Sequence, residues 1–138
     1  MFAPTGMGMQ SPKIVVVQDK ETIEELSKMN AKIMGVTSDP FYGAPTVLIV
    51  LADKNRNTYL EDGSLVMGNL MNAAHAVGVA SWIHRAKEEF ESEEGKEILK
   101  SLGIEGDYEG IGHCVLGYAD GPEPKAAPRK DSYVYYVK

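Results

Sequence analysis

The chain has 138 residues, and its 14 Lys and Arg against 20 Asp and Glu give a formal net charge of −6 at pH 7. This length fits one domain with a buried core; a composition of 43% hydrophobic residues excludes a disordered chain, and the acidic balance argues against a nucleic-acid partner. One cysteine excludes an intrachain disulfide and favours a cytoplasmic setting, and the longest apolar run, residues 46–52, is too short to enter a membrane as a span.

The first half of the chain predicts two buried strands with a helix between them. Residues 14–17, Ile-Val-Val-Val, form a β-branched run that is typical of a buried strand. Asp19 is a suitable N-cap for a helix from about Lys20 to Met34, and Gly35 suits its left-handed end. A second buried strand is predicted over Thr46–Ala52.

The longest predicted helix, from about Tyr59 to Val77, has no fully polar face. A helix of this kind is buried on most sides, either centrally in its own domain or against a partner subunit. Gly78 ends it, and a short strand is predicted over Val79–Ile83. Ser92 can cap a further helix, which precedes a third clear strand over Ile111–Ala119.

The C-terminal segment differs from the rest of the chain. Residues 120–130 are rich in proline and charge, and they lead into Tyr133–Val137, which reads as a strand. We expect residues 120–138 to form an extended arm that adds to an edge of the domain's own sheet or to the sheet of a second subunit. The alternation of strands and helices before it favours a sheet covered by helices.

Few residues suggest side-chain catalysis. The histidines at 75, 84 and 113 lack the spacing of a helix-borne zinc pair, so no metal site is expected. Cys114 follows a histidine within a predicted strand, where neighbours point to opposite faces, and it is interpreted as a buried structural thiol. The acidic run over residues 88–94 is interpreted as a solvated helix face.

Two features leave a binding role open. Arg129 and Lys130 are adjacent cations before the last predicted strand, and an arginine fork suits a phosphate. As a bare pair they are more simply explained as solvated surface. Trp82 on a short strand is expected in the core, with the border of a flat ligand as the alternative. Composition and spacing alone therefore lead to an α/β domain with an unusual tail.

Three segments in series resemble the FMN-dependent nitroreductase family. Residues 3–13, Ala-Pro-Thr-Gly-Met-Gly-Met-Gln-Ser-Pro-Lys, are similar to the family's Ala-Pro-Ser/Thr-Gly-x-Asn-x-Gln loop, although Gly8 stands where the family usually has Asn. Residues 62–85 resemble the central helix and following strand of short clostridial-type members. Gly117-Tyr118 followed by Pro128-Arg129-Lys130 is similar to the family's C-terminal signature. The resemblance covers essentially the whole chain.

This resemblance implies an α+β fold in which a nitroreductase-like sheet is flanked by helices. It also implies an intertwined homodimer, with FMN at the interface and the C-terminal strand crossing to the partner. Residues 1–138 would form one domain that lacks the family's N-terminal helix and its Arg-Ser-x-Arg motif, whose cations hold the FMN phosphate. A misassigned start and a shortened gene are both compatible with that departure.

The resemblance also implies a site without a catalytic side chain of the protein, because the chemistry belongs to the flavin. The loop near residue 5 would reach the flavin from the partner, and the backbone around His84 and Arg85 would approach the flavin N5 and O4 edge. The tail cations would bind the phosphate. The implied cofactor-binding residues are Pro4, Thr5, Gly6, Gln10, Asn30, His84, Arg85, Arg129 and Lys130, and Asp62 is expected near the substrate.

Three functions follow from the resemblance. The first is an FMN-dependent oxidoreductase that uses NADH or NADPH to reduce small acceptors such as nitroaromatics or quinones. The second is a truncated homologue that folds and dimerises but binds FMN weakly or not at all, because half of the expected phosphate clamp is missing. The third is a flavin-binding module without turnover, which the sequence does not separate from the first.

Overall fold

A computed structural model of the chain, which describes residues 2–122 and 125–137, contains a four-stranded antiparallel sheet in the order β1-β2-β4-β3. The strands are β1 (Lys13–Val17), β2 (Thr46–Asp53), β3 (Ala80–His84) and β4 (Tyr108–Gly117). The helices are α1 (Lys20–Met34), α2 (Tyr59–Ala76), α3 (Lys87–Glu91) and α4 (Glu93–Ser101). A 3-10 turn at Gly6–Gly8 precedes β1.

Local signals set the helix ends where the sequence predicts them. The Asp19 carboxylate accepts a hydrogen bond from the Thr22 N–H at 2.9 Å and begins α1, and Gly35 ends α1 with a φ of 69°. The Ser92 hydroxyl accepts from the Gly95 N–H at 3.0 Å and begins α4. These interactions lie within a few residues, so the sequence alone is sufficient to predict them.

The sheet separates two apolar cores. Alternate side chains of β2 point to opposite faces, so Ile49 joins one core and Val50 the other. The first core lies between the sheet and α1, α3 and α4, and the second lies between the sheet and α2. The predicted sheet covered by helices is confirmed, with helices on both faces.

Burial differs from the sequence-based expectation at three places. β1 was expected to be buried but is an edge strand, and only Val17 in it is buried, while Val16 is 60% exposed. Trp82, expected in the core, is 57% exposed because β3 forms the opposite edge. Glu89, expected on a solvated helix face, is completely buried. Propensity and charge patterns describe the local chain, whereas burial depends on what packs above it.

The predicted C-terminal strand does not form within the single chain. Residues 125–137 have neither helix nor strand and are exposed, so the tail adds to neither edge of the chain's own sheet, β1 or β3. Crossing to a partner therefore stays a prediction. Residue 1 and the arm residues 123, 124 and 138 lie outside the described part of the chain. In the part that the structure describes, no helix has the length and apolarity to cross a membrane.

Candidate functional site

The N-terminal loop is held on α2 by one buried carboxylate. Asp62, in the first turn of α2, is only 3% exposed, and its Oδ1 accepts a hydrogen bond from the Gly6 N–H at 2.8 Å. Its Oδ2 accepts from the Thr58 hydroxyl at 3.2 Å. A Cβ at position 6 would lie 2.2 Å from the Thr58 Oγ1, so only glycine permits this close approach. Asp62 thus anchors the loop, and its expected place near a substrate stays a prediction.

The same loop is ordered internally by Thr5. Its Oγ1 accepts from the Gln10 N–H at 2.9 Å, and its carbonyl accepts from the Gly8 N–H at 2.9 Å. Gly8 adopts a left-handed φ of 67°, a region that glycine and asparagine enter most readily. This shared preference gives a physical reason for glycine at a position where the family usually has Asn. The loop leaves Pro4 and Gln10 exposed and available to a ligand or partner.

A second group of predicted residues lies at the end of β3, on the other side of the sheet. His84 is the last residue of β3, and Arg85 begins the link to α3. Asn30 of α1 is 2% exposed and its Nδ2 donates to the Arg85 carbonyl at 2.8 Å. The amide also donates to the Glu89 Oε2 at 3.0 Å, and that oxygen lies 2.8 Å from the His113 Nε2. Asn30 therefore lies beneath the link rather than on the surface.

His84 is enclosed by aromatic side chains. Its ring centroid lies 5.8 Å from that of Phe41 and 6.0 Å from that of Tyr42. Burial lowers the pKa of His84, a hydrogen bond to the Pro40 carbonyl acts in the opposite direction, and the net shift is downward. The neutral imidazole is thus favoured at pH 7. The Arg85 side chain is exposed and pairs with Glu88 on the surface of α3.

The loop that carries Phe41 and Tyr42 is built around Asp39. Its carboxylate accepts from the Ser27 hydroxyl at 2.5 Å, from the Phe41 N–H at 2.8 Å and from the Gly43 N–H at 2.6 Å. Burial raises the pKa of Asp39, but these hydrogen bonds outweigh it and the net shift is downward. Two prolines and a glycine keep residues 39–45 irregular. Nothing in that local pattern identifies Ser27 of α1 as a partner of Asp39.

Two clefts adjoin this loop. One of about 350 Å³ is lined by residues 41–45 and the ends of β3 and β4, and at its edge the Tyr42 and Trp82 rings meet edge to face with centroids 6.4 Å apart. The other, of about 600 Å³, lies between α1 and residues 37–45. None of the implied cofactor-binding residues, all within the described part of the chain, lines either cleft. Trp82 borders the smaller cleft, and the alternative that it borders a flat ligand stays a prediction.

The structure does not bring all predicted site residues together in one chain. Thr5, Gly6 and Asp62 lie on the α2 side of the sheet, and Asn30 lies on the α1 side. Arg129 and Lys130 are exposed, and within residues 2–122 and 125–137 neither forms an ion pair. A search of the described residues finds no cluster of three or more His, Cys, Asp or Glu side chains that could hold a metal ion.

Sequence reasoning missed two buried polar residues. Glu89 was assigned to solvent with its acidic neighbours, and His113 was considered only beside Cys114. Their contact joins α3 to β4 across 24 positions, and no local pattern reports it. Cys114 is fully buried, as interpreted, and burial raises the pKa of its thiol. It packs in the second core, on the face of β4 opposite to His113.

Comparisons with known proteins identify the fold. No protein-family model and no curated protein sequence matches the chain. A nitroreductase with bound FMN from Bacteroides fragilis matches at 24% identity over 99% of this chain and 81% of that chain, with a TM-score of 0.87. A nitroreductase with bound FMN from Desulfitobacterium hafniense matches at 26% identity over 98% of this chain and 80% of that chain, with a TM-score of 0.81. An FMN-dependent nitroreductase from Clostridium difficile matches at 26% identity over 96% of this chain and 76% of that chain, with a TM-score of 0.74.

These likenesses agree with the resemblance that the sequence motifs indicate. They extend over nearly the whole chain, and they include the antiparallel sheet flanked by helices. The predicted α+β nitroreductase-like fold is confirmed. The chain thus has the fold of the FMN-dependent nitroreductases, to which it is similar over nearly its whole length.

Proposed function

We propose that the protein is an FMN-dependent oxidoreductase that uses NADH or NADPH to reduce small nitroaromatic or quinone-like acceptors in the cytoplasm. The observation that carries this proposal is the likeness over 98% of the chain or more to two nitroreductases crystallised with bound FMN. When bound, FMN supplies hydride transfer at its ring system. The protein's own task is then to bind and orient the ring and to leave space for an acceptor.

The residues present fit a flat, phosphorylated cofactor. The exposed ring of Trp82 at the edge of the 350 Å³ cleft offers an aromatic surface against which a planar group can pack. The main chain around His84 and Arg85 would stabilise negative charge at the edge of a reduced ring. Arg129 and Lys130 are exposed and positively charged, as a phosphate requires.

We propose that two copies of the chain share the site. The loop that carries Pro4 and Gln10 lies on the α2 side of the sheet, so in a homodimer it would serve the partner's flavin. Support comes from the outer surface of α2, where Leu65 is 48% exposed and Val77, which ends the helix, is 75% exposed. Apolar exposure of this kind is typical of a protein interface. The aromatic tail, with Tyr135 83% exposed, would cross to the second subunit.

The visible spectrum of the purified protein tests the proposal directly. We expect a yellow protein, or one that takes up one FMN per chain on titration. Replacement of Arg129 by alanine should weaken FMN binding at least tenfold, since a charge-assisted hydrogen bond contributes roughly 1.5–3 kcal/mol. Lys125→Ala is the matched control, because it removes an exposed cation from the same tail. Equal affinities of the two variants would exclude Arg129 as the phosphate ligand.

The remaining hypotheses give different results in the same preparation. A chain that stays colourless after FMN is added is the flavin-poor homologue. A yellow chain that neither NADH nor NADPH reduces under anaerobic conditions is a flavin-binding module. Reduction of the bound FMN followed by its reoxidation with a nitroaromatic or quinone supports the oxidoreductase. Size-exclusion chromatography with light scattering tests the homodimer independently.

A further inference from the structure

A buried polar network lies directly behind the link between β3 and α3. Its members come from three elements: Asn30 from α1, Glu89 from α3 and His113 from β4. Asn30 is 2% exposed, and Glu89 and His113 are completely buried. The Glu89 Oε2 accepts from the Asn30 amide at 3.0 Å and lies 2.8 Å from the His113 Nε2. The second donor bond of Asn30, at 2.8 Å, goes to the Arg85 carbonyl.

This arrangement is poorly explained by stability alone. The Phe41 and Phe90 rings enclose His113, with centroids 5.1 and 5.6 Å from it, so the pair lies in an apolar environment. Desolvating a carboxylate and an imidazole is expensive, and a well-packed apolar replacement of such a pair is often neutral or stabilising. The hydrogen bond at the end of the network indicates its role, because it holds a main-chain atom of the link, the Arg85 carbonyl oxygen.

The link is also restrained from the sheet side. The Ala86 carbonyl accepts from the Phe90 N–H at 3.1 Å, which starts α3. A Cβ at Gly110 of β4 would lie 2.5 Å from that carbonyl oxygen, so the link packs directly on the strand. Contact with Gly110 sets the height of the link above the sheet. The hydrogen bond from Asn30 sets the orientation of the Arg85 peptide.

We infer that Asn30, supported by Glu89 and His113, is a positioning residue that fixes the backbone of residues 84–86 at the flavin edge. The inference rests on the proposed function. It changes the role expected for Asn30 from ring contact to support of the main chain that faces the ring. A peptide that is oriented before the cofactor binds contributes its full effect to the cofactor, because no reorganisation is required.

The test compares Asn30→Leu with Thr22→Ala. The leucine matches asparagine in size but donates no hydrogen bond. Thr22→Ala removes a side-chain hydrogen bond to Asp19 at 2.7 Å in the first turn of α1, and that bond involves neither the link nor the loop at residues 39–45. We expect Asn30→Leu to weaken FMN binding about tenfold, to shift the midpoint potential of the bound FMN, and to accelerate amide exchange of Arg85 and Ala86. Thr22→Ala should alter only the unfolding temperature.

Each result has one interpretation. If Asn30→Leu has the same FMN affinity, midpoint potential and exchange rates as Thr22→Ala, the inference is overturned and the proposed function is left intact. A wild-type chain that takes up no FMN overturns the proposed function, and the inference with it. If Asn30→Leu does not fold, Glu89→Gln keeps an acceptor for the Asn30 amide without the charge. Glu89→Gln should shift the midpoint potential of FMN and the amide exchange rates of Arg85 and Ala86 in the direction expected for Asn30→Leu, but by a smaller amount. Unchanged values overturn the inference.

Discussion

Replacing Asp62 by alanine should release the N-terminal loop from α2. The change removes the acceptor of the Gly6 N–H at 2.8 Å and of the Thr58 hydroxyl at 3.2 Å. The first bond, to a buried carboxylate, contributes roughly 1.5–3 kcal/mol, and the carboxylate at a helix N-terminus adds about 0.5 kcal/mol. We therefore expect a loss of about 2.5 kcal/mol, which lowers Tm by roughly 8 °C for a chain of this length.

Urea unfolding followed by circular dichroism measures the change in free energy, and hydrogen exchange at Gly6 measures the local release. Glu61→Ala is the control, because it removes an exposed carboxylate from the same turn of α2 and should change stability by less than about 0.5 kcal/mol. Asp62→Asn keeps the shape of the side chain without its charge, and its free energy of unfolding should lie between those of Asp62→Ala and Glu61→Ala. If Asp62→Ala is as stable as Glu61→Ala and exchange at Gly6 is unchanged, the assigned anchor is wrong.

Two further predictions concern packing and pH. Gly95→Ala should lower the free energy of unfolding by about 3 kcal/mol, because the new Cβ would lie 2.1 Å from the Glu89 carbonyl oxygen. Gly68→Ala, in open space within α2, should raise it by about 0.5–1 kcal/mol. Urea unfolding measures both changes, and equal effects would contradict these contacts. Burial lowers the pKa of His84, so below about pH 6.5 the unfolded chain binds more protons than the folded chain and stability falls as the pH drops. His84→Gln should flatten that dependence between pH 5 and 7, and an unchanged slope in urea midpoints would exclude His84 as its source.

Much of the fold was predictable because its signals are local. The caps Asp19 and Ser92 and the glycine at 35 act on neighbouring backbone groups, so the helix ends follow from a few adjacent residues. The motif order that indicated the resemblance to nitroreductases depends equally on sequence alone. The loop at residues 3–10 and the central helix were therefore recognisable without coordinates.

Part of the candidate site was not predictable, since it depends on contacts between distant segments. The resemblance places Asp62 near the substrate, and the structure adds a hydrogen bond to Gly6, 56 positions away, that no local pattern indicates. The resemblance places Asn30 at the cofactor, and the structure adds a hydrogen bond from its amide to the Arg85 carbonyl, 55 positions away. Hydrogen-bond partners at such separations are decided by how the elements pack.

The sequence by itself determined the fold class and most of the helices and strands, and it indicated the resemblance to FMN-dependent nitroreductases. Only the tertiary structure decided that β1 and β3 are edges, that Trp82 is exposed and that Glu89 is buried against His113. The physical reason is that propensity and capping act between neighbours along the chain, whereas burial is set by the layer that covers a residue. A glutamate in an acidic run has the local pattern of a surface residue, and only the packing of α3 on β4 places it in the core.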